Sequence, residues 1–217
     1  MDDLNLLQRI AIWTLPVLFA ITAHEVAHGW VAMRLGDRTA MMLGRLTLNP
    51  IKHIDPIGTL LVPGLMLAFG GFIFGWAKPV PVTWDNLNNP KRDMALVAMA
   101  GPMANLIMAL LWAGVMKLSL LFAASLVMVA EPLLLMGAAG ITINLILMVL
   151  NLLPLPPLDG GRIVSSLLPN KLSWRYNQLE NYGLLILLVL LASGVLGDII
   201  GPPIYKLQAM LYLLIGV

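Results

Sequence analysis

The stretch "ITAHEVAHGW", residues 21–30, sets His24, Glu25 and His28 inside an otherwise oily segment. On an α-helix, residues four apart share a face, so His24 and His28 can grip one metal ion. Glu25 follows the first histidine and can reach a water on that ion without ligating it. The pattern is H-E-x-x-H, and its chemistry is metal-assisted hydrolysis with the glutamate as general base. The alternative is a chance pattern whose polar groups merely bond neighbouring helices. Ionisable groups inside a membrane span are costly and usually functional, which favours the chemistry.

Two histidines do not complete such a site, because a catalytic zinc commonly takes three protein ligands and keeps one position open. The chain has one more histidine, His53, in the Pro-bounded polar stretch "NPIKHIDPIG". Among the few acidic residues, Asp159 in "NLLPLPPLDGGR" stands out. Pro154, Pro156 and Pro157 break the preceding helix there, and Gly160 and Gly161 permit an unusual backbone turn. Irregular backbone at membrane depth survives only where protein or water surrounds it, so a buried polar site is expected. Taken alone, Asp159 reads more readily as an N-cap for the helix that follows.

The elements that must position these groups are read from hydropathy. Of 217 residues, 59% are hydrophobic and 11% charged, with a mean hydropathy of +0.89. A soluble domain would leave much of that apolar surface facing water. Apolar runs at 6–34, 57–76, 94–116, 133–153 and 183–197 approach the ~20 residues that a spanning helix needs, and a shorter one lies at 207–217. The expected fold is an all-α membrane protein, a polytopic helical bundle of about five to six segments. Asp2 and Asp3 stand where a signal peptide would be basic, so no cleaved leader is expected. Without cysteine there is no disulfide framework, and a net charge of +2 argues against nucleic acid as a partner. With no repeat and no long polar segment, one membrane domain over 1–217 is expected. Its catalytic core is placed at about 6–168 and its C-terminal helices at about 183–217.

"AHEVAHGW" followed much later by "NLLPLPPLDGG" resembles the site-2 protease family of intramembrane zinc metalloproteases. The family pairs H-E-x-x-H on one helix with N-x-x-P-x-x-x-x-D-G at the end of another. Asn151, Pro154, Asp159 and Gly160 reproduce the second spacing, and "AGPMAN", residues 100–105, is similar to a further family element. The resemblance implies one Zn2+ per chain on His24, His28 and Asp159, with Glu25 as base. It places Asn151 near the metal, where an amide can hold substrate or the developing oxyanion. Asn105 is a candidate for substrate binding or for bonding adjacent helices. With the ligand set filled, His53 is left to bond substrate or to steady the 57–76 segment. Implied partners are transmembrane protein or peptide substrates in a lipid bilayer, together with a regulatory membrane partner or a homo-oligomer. No stretch is long enough for the PDZ or CBS domain that many relatives carry. A membrane zinc transporter or a non-proteolytic scaffold would also place histidine and aspartate in its spans, but a transporter has no need of Glu25.

Topology follows from one requirement: His28 and Asp159 must reach the same depth. If 57–76 crossed fully, Asp159 would be stranded on the far side unless the 13 residues 118–130 also crossed. A re-entrant segment near 57–76, broken at Pro63, Gly64, Gly70 and Gly71, removes the conflict. That topology puts Arg34, Arg38, Arg45, Lys52, Lys78, Lys91, Arg92, Arg162, Lys171 and Arg175 on the side of the site. Only Arg9, Lys117 and Lys206 fall opposite. The bias orients the site toward the cytoplasm of a bacterial or archaeal cell membrane. Between the first two segments, imperfect alternation over 39–49 suggests a short β-hairpin turning near Gly44 and Arg45, as against a plain surface loop. "GWAKPVPV", residues 75–82, is held extended by its prolines, as a second lining strand or a linker.

Overall fold

The computed structural model describes residues 4–56, 58, 78–123 and 127–216. The re-entrant expectation for 57–76 therefore falls, but for residue 58, outside the described residues. Eight α-helices are present among them, and no strand.

Helix α1 (Leu6–Arg34) opens on a capping box. The Asn5 side chain accepts from Gln8 N, and Gln8 Oε1 accepts from Asn5 N, each at 2.9 Å. At 29 residues it is about 43 Å long, enough to cross a ~30 Å hydrocarbon layer. Helix α3 (Pro90–Phe122) starts with proline in its first turn, where a missing N–H does no harm. Helix α4 is Val127–Asn151. These three are long and apolar enough to span a membrane. Residues 118–122 complete α3 and 127–130 begin α4, so the described residues of the 118–130 stretch belong to two helix ends.

The three long helices pack on one another, and small residues set how closely. A Cβ on Gly137 would stand 2.8 Å from the Met116 Cβ, and one on Gly140 would run into the Trp112 ring. Around that seam Trp112, Ala113, Met116, Ile141 and Leu145 form the main core, joined by Leu211 and Ile215. Those last two belong to α8 (Val195–Ile215), which follows α7 (Glu180–Ala192) after a bend of 81°. Gly194 makes the bend with φ +80, a left-handed backbone that suits glycine. The C-terminal apolar runs, expected at 183–197 and 207–217, are thus divided differently. The break falls at Ser193–Gly194, and Pro202 and Pro203 lie inside α8.

The expected hairpin over 39–49 is corrected. Thr39–Met42 forms a single helical turn, α2, followed by a turn at Gly44 with φ +63. The cause lies two residues upstream, where Asp37 Oδ1 accepts from both Thr39 N and Thr39 Oγ1 at 3.0 and 2.5 Å. Such a side-chain bond starts a turn and competes with strand pairing. Ala40, fully covered, packs against Gly29 of α1.

After α4 the chain breaks at the prolines, and α5 (Asp159–Leu167) and α6 (Asn170–Asn177) follow. Gly160 and Gly161 are helical and make no unusual turn. Their missing side chains instead let the proline loop approach. A Cβ at Gly161 would lie 2.5 Å from Pro156 N, and one at Gly160 would meet the Leu152 and Leu153 carbonyls.

Candidate metal centre

Helix α1 turns His24 and His28 toward α3, with ring centroids 4.6 Å apart and planes at 82°. Asp159, in the first turn of α5, meets them from across the bundle. His24 Nε2 and His28 Nε2 are 3.0 Å apart, and Asp159 Oδ2 lies 3.2 and 3.3 Å from them. The three side chains are only 10%, 12% and 12% exposed. His24 and His28 approach α3 at Gly101, the one residue type that leaves them room.

Each imidazole is held from behind. His28 Nδ1 lies 2.7 Å from the Val97 carbonyl, which can only accept, so the proton sits on Nδ1. His24 Nδ1 lies 2.6 Å from Asn105 Oδ1. Both Nε2 lone pairs therefore face Asp159 Oδ2, itself a buried oxygen without a hydrogen-bond partner among the described residues. Three electron-rich atoms this close repel one another unless a cation lies among them. Ligands about 2.0–2.1 Å from a tetrahedral ion stand roughly 3.3–3.4 Å apart, close to the spacings here. The group fits a zinc-sized cation, and each Nδ1 makes the hydrogen bond to an oxygen that metal-bound histidines carry.

Glu25 stays outside this trio. Its Oε2 accepts from the backbone N–H of Val80 at 2.7 Å. Val80 lies between Pro79 and Pro81, which have no N–H, in an unpaired strap over 78–83 laid along α1. Its isopropyl group fills the space left by Gly29. The strap is tied at both ends. Lys78 N donates to His53 O at 2.9 Å, and the Arg45 guanidinium donates to Lys78 O at 2.9 Å. Thr83 N donates to Asp37 Oδ2 at 2.7 Å. Burial pushes the Asp37 carboxyl up, but bonds from Thr39, Thr83 and Asn86 outweigh it and hold the group below the ordinary carboxylate range.

The remaining expected site residues lie off the trio. His53 is buried, with Nε2 on Thr47 O at 2.9 Å and no partner for Nδ1 among the described residues. Asn105 is fully covered behind His24. Asn151 gives its Nδ2 to Leu147 O, one turn back in α4, at 2.9 Å. Two participants escaped the sequence reading. Val80 was signalled only as the lone N–H in "PVP". Asn144, which bonds Asn105 at 3.0 Å, lies in the part of its apolar run that precedes the Asn151 motif.

Fold and site together define a helical protein with three helices apolar and long enough to cross a membrane, and a buried two-histidine, one-carboxylate group that could hold a metal, with Glu25 beside it. Comparison with known proteins agrees. The model of peptidase family M50 matches residues 118–192, a stretch that includes Asn151 and Asp159. The chain is 43% identical over 180 residues to "Putative zinc metalloprotease YwhC" of Bacillus subtilis (strain 168), covering 82% of this chain and 78% of that one. It is 30% identical over 203 residues to "Putative zinc metalloprotease Rip2" of Mycolicibacterium smegmatis, covering 90% and 73%. No solved structure matches. The chain belongs to peptidase family M50, of the site-2 protease type.

Proposed function

We propose that the protein is an intramembrane zinc metalloendopeptidase that hydrolyses peptide bonds of transmembrane protein or peptide substrates. The observation that carries this is the convergence of His24 Nε2, His28 Nε2 and Asp159 Oδ2, with both Nδ1 atoms already engaged. One zinc per chain, bound there, would acidify a water and polarise the scissile carbonyl. The chain's own residues do the rest. Glu25 keeps Oε2 on Val80 N–H and uses Oε1 to take a proton from the attacking water. It then delivers that proton to the leaving amine nitrogen. Asn151, eight residues before Asp159 at the end of α4, is the candidate to hold substrate or the developing oxyanion.

The site is read as facing the cytoplasm. The charge bias supports this, and the pairing of Leu35 O with Asn88 N at 2.8 Å and of His53 O with Lys78 N supports counting the cations of 34–52 and 78–92 on one side. Both pairings put the ends of the α1–α3 connection side by side, at the end of the bundle that holds the site. The test is Glu25→Gln in purified protein, with single-span substrates. Lost cleavage with one zinc retained supports the protease. Zinc flux across vesicles that survives the substitution, without any cleavage by the wild type, would replace the protease with a transporter.

A further inference from the structure

Behind His24 a chain of side-chain amides crosses the bundle from α4 to α1. Asn144 Nδ2 donates to Gly140 O at 2.8 Å, and Asn144 Oδ1 accepts from Asn105 Nδ2 at 3.0 Å. The second N–H of Asn105 goes to Ala20 O at 3.1 Å, and Asn105 Oδ1 faces His24 Nδ1 at 2.6 Å. Ala20, Asn105 and Asn144 are all 0% exposed.

The polarity of this chain has no freedom. Backbone carbonyls only accept, so the NH2 of Asn144 must face Gly140 O and its oxygen must face Asn105. Both N–H groups of Asn105 are then engaged, and its oxygen can only accept from His24. The proton of a neutral His24 is thereby held on Nδ1, and the Nε2 lone pair is turned to the ligand trio.

We infer that Asn144 is a positioning residue for the metal centre: together with the Ala20 carbonyl it locks the Asn105 amide and through it the ring state of His24. This rests on the zinc reading of the trio. With Asn144 removed, one buried N–H of Asn105 loses its acceptor, and only the Ala20 carbonyl still opposes reversal of the amide. A reversed amide offers N–H to His24 Nδ1, and the histidine proton moves to Nε2. There it donates to Asp159 Oδ2, 3.2 Å away, and closes the site on itself without metal. Asn144 keeps that closed, metal-free arrangement from competing with the ion.

The plain alternative is that Asn144 and Asn105 only hold helices together. Zinc affinity, measured by chelator competition on the purified full chain, separates the two. Removing a histidine's outer-shell partner weakens metal binding about 10- to 100-fold, and Asn105→Leu should do so. Asn144→Leu should weaken it by roughly tenfold, and the double variant should be no weaker than Asn105→Leu alone, because one residue acts through the other. Asn144→Ser still reaches Gly140 O but withdraws the acceptor from Asn105, so it should show the same loss and serves if the leucine variant folds poorly. Affinity within twofold of wild type in the serine variant, or single effects that multiply in the double, would overturn the inference. Cleavage does not enter the readout, so failure here leaves the protease reading standing, and the reverse holds too.

Discussion

Gly101 offers a direct check on how tightly the metal centre is framed. Glycine to alanine inside a helix ordinarily stabilises by about 1 kcal/mol. Here the added Cβ would stand 2.5 Å from His24 Cε1, 2.6 Å from His24 Nε2 and closer still to His28 Nε2. Ordinary contact begins near ~3.5 Å, so the site must open by roughly 1 Å. The imidazoles cannot retreat, because Asn105 and the Val97 carbonyl hold their Nδ1 atoms. Overpacking of this kind costs about 1–3 kcal/mol, more than the helix gains. Metal geometry tolerates only about 0.2 Å, so the strain should appear in the ligand set. At about 1.4 kcal/mol per tenfold, zinc affinity should fall about 5- to 150-fold in Gly101→Ala. Chelator competition measures this, alongside thermal unfolding of the metal-free protein. Gly114→Ala in the same helix is the control, because a Cβ there meets nothing within 4 Å. It should leave zinc binding unchanged. Wild-type affinity in Gly101→Ala would mean that α3 does not press on the two histidines, and the framing argument would fail.

Three further outcomes follow from neighbouring contacts. Val80→Pro deletes the N–H that holds Glu25, so it should keep zinc and lose at least about tenfold in turnover, while Val80→Ala should stay near wild type. Equal losses in the two would exclude the N–H as the cause. Asp37→Asn should lower thermal stability at pH 7 by about 1–3 kcal/mol, since an amide cannot accept from Thr39, Thr83 and Asn86 together. The wild-type carboxyl is depressed on folding, so its contribution is complete above the unfolded value of about 3.9 and fades as pH falls through the folded one. The gap between the two proteins should therefore close in acid, and a gap constant to pH 2 would contradict the ionised network. Thr39→Cys and Asn88→Cys, made in a chain without native cysteine, should both react with a thiol reagent from the cytoplasmic face. Labelling from opposite faces would reject the proposed topology.

The chemistry was legible in the sequence wherever it rests on local geometry. A spacing of four on a helix puts His24 and His28 on one face whatever surrounds them. An unbroken apolar run such as 6–34 declares a span, and α1 has those same bounds. Asp159 needed more, namely the match of two distant motifs to a family, since alone it could have been a helix cap. Tertiary structure decided what depends on how elements far apart in the chain meet. Asp37 turns 39–42 into a helical turn locally, but it also gathers Thr83 and Asn86, 46 and 49 residues away. Glu25 finds its donor 55 residues on, in a strap whose alternating prolines leave few N–H groups to offer. Asn144 lies in a stretch that reads as lipid-facing, and only its meeting with Asn105 across the bundle gives it a task. Gly160 and Gly161 suggested a turn, yet they serve close approach, because a missing side chain can be used for either and only the neighbouring chain decides which. Periodicity and spacing report which face a residue shares. What stands opposite that face depends on helix packing, which no single segment encodes.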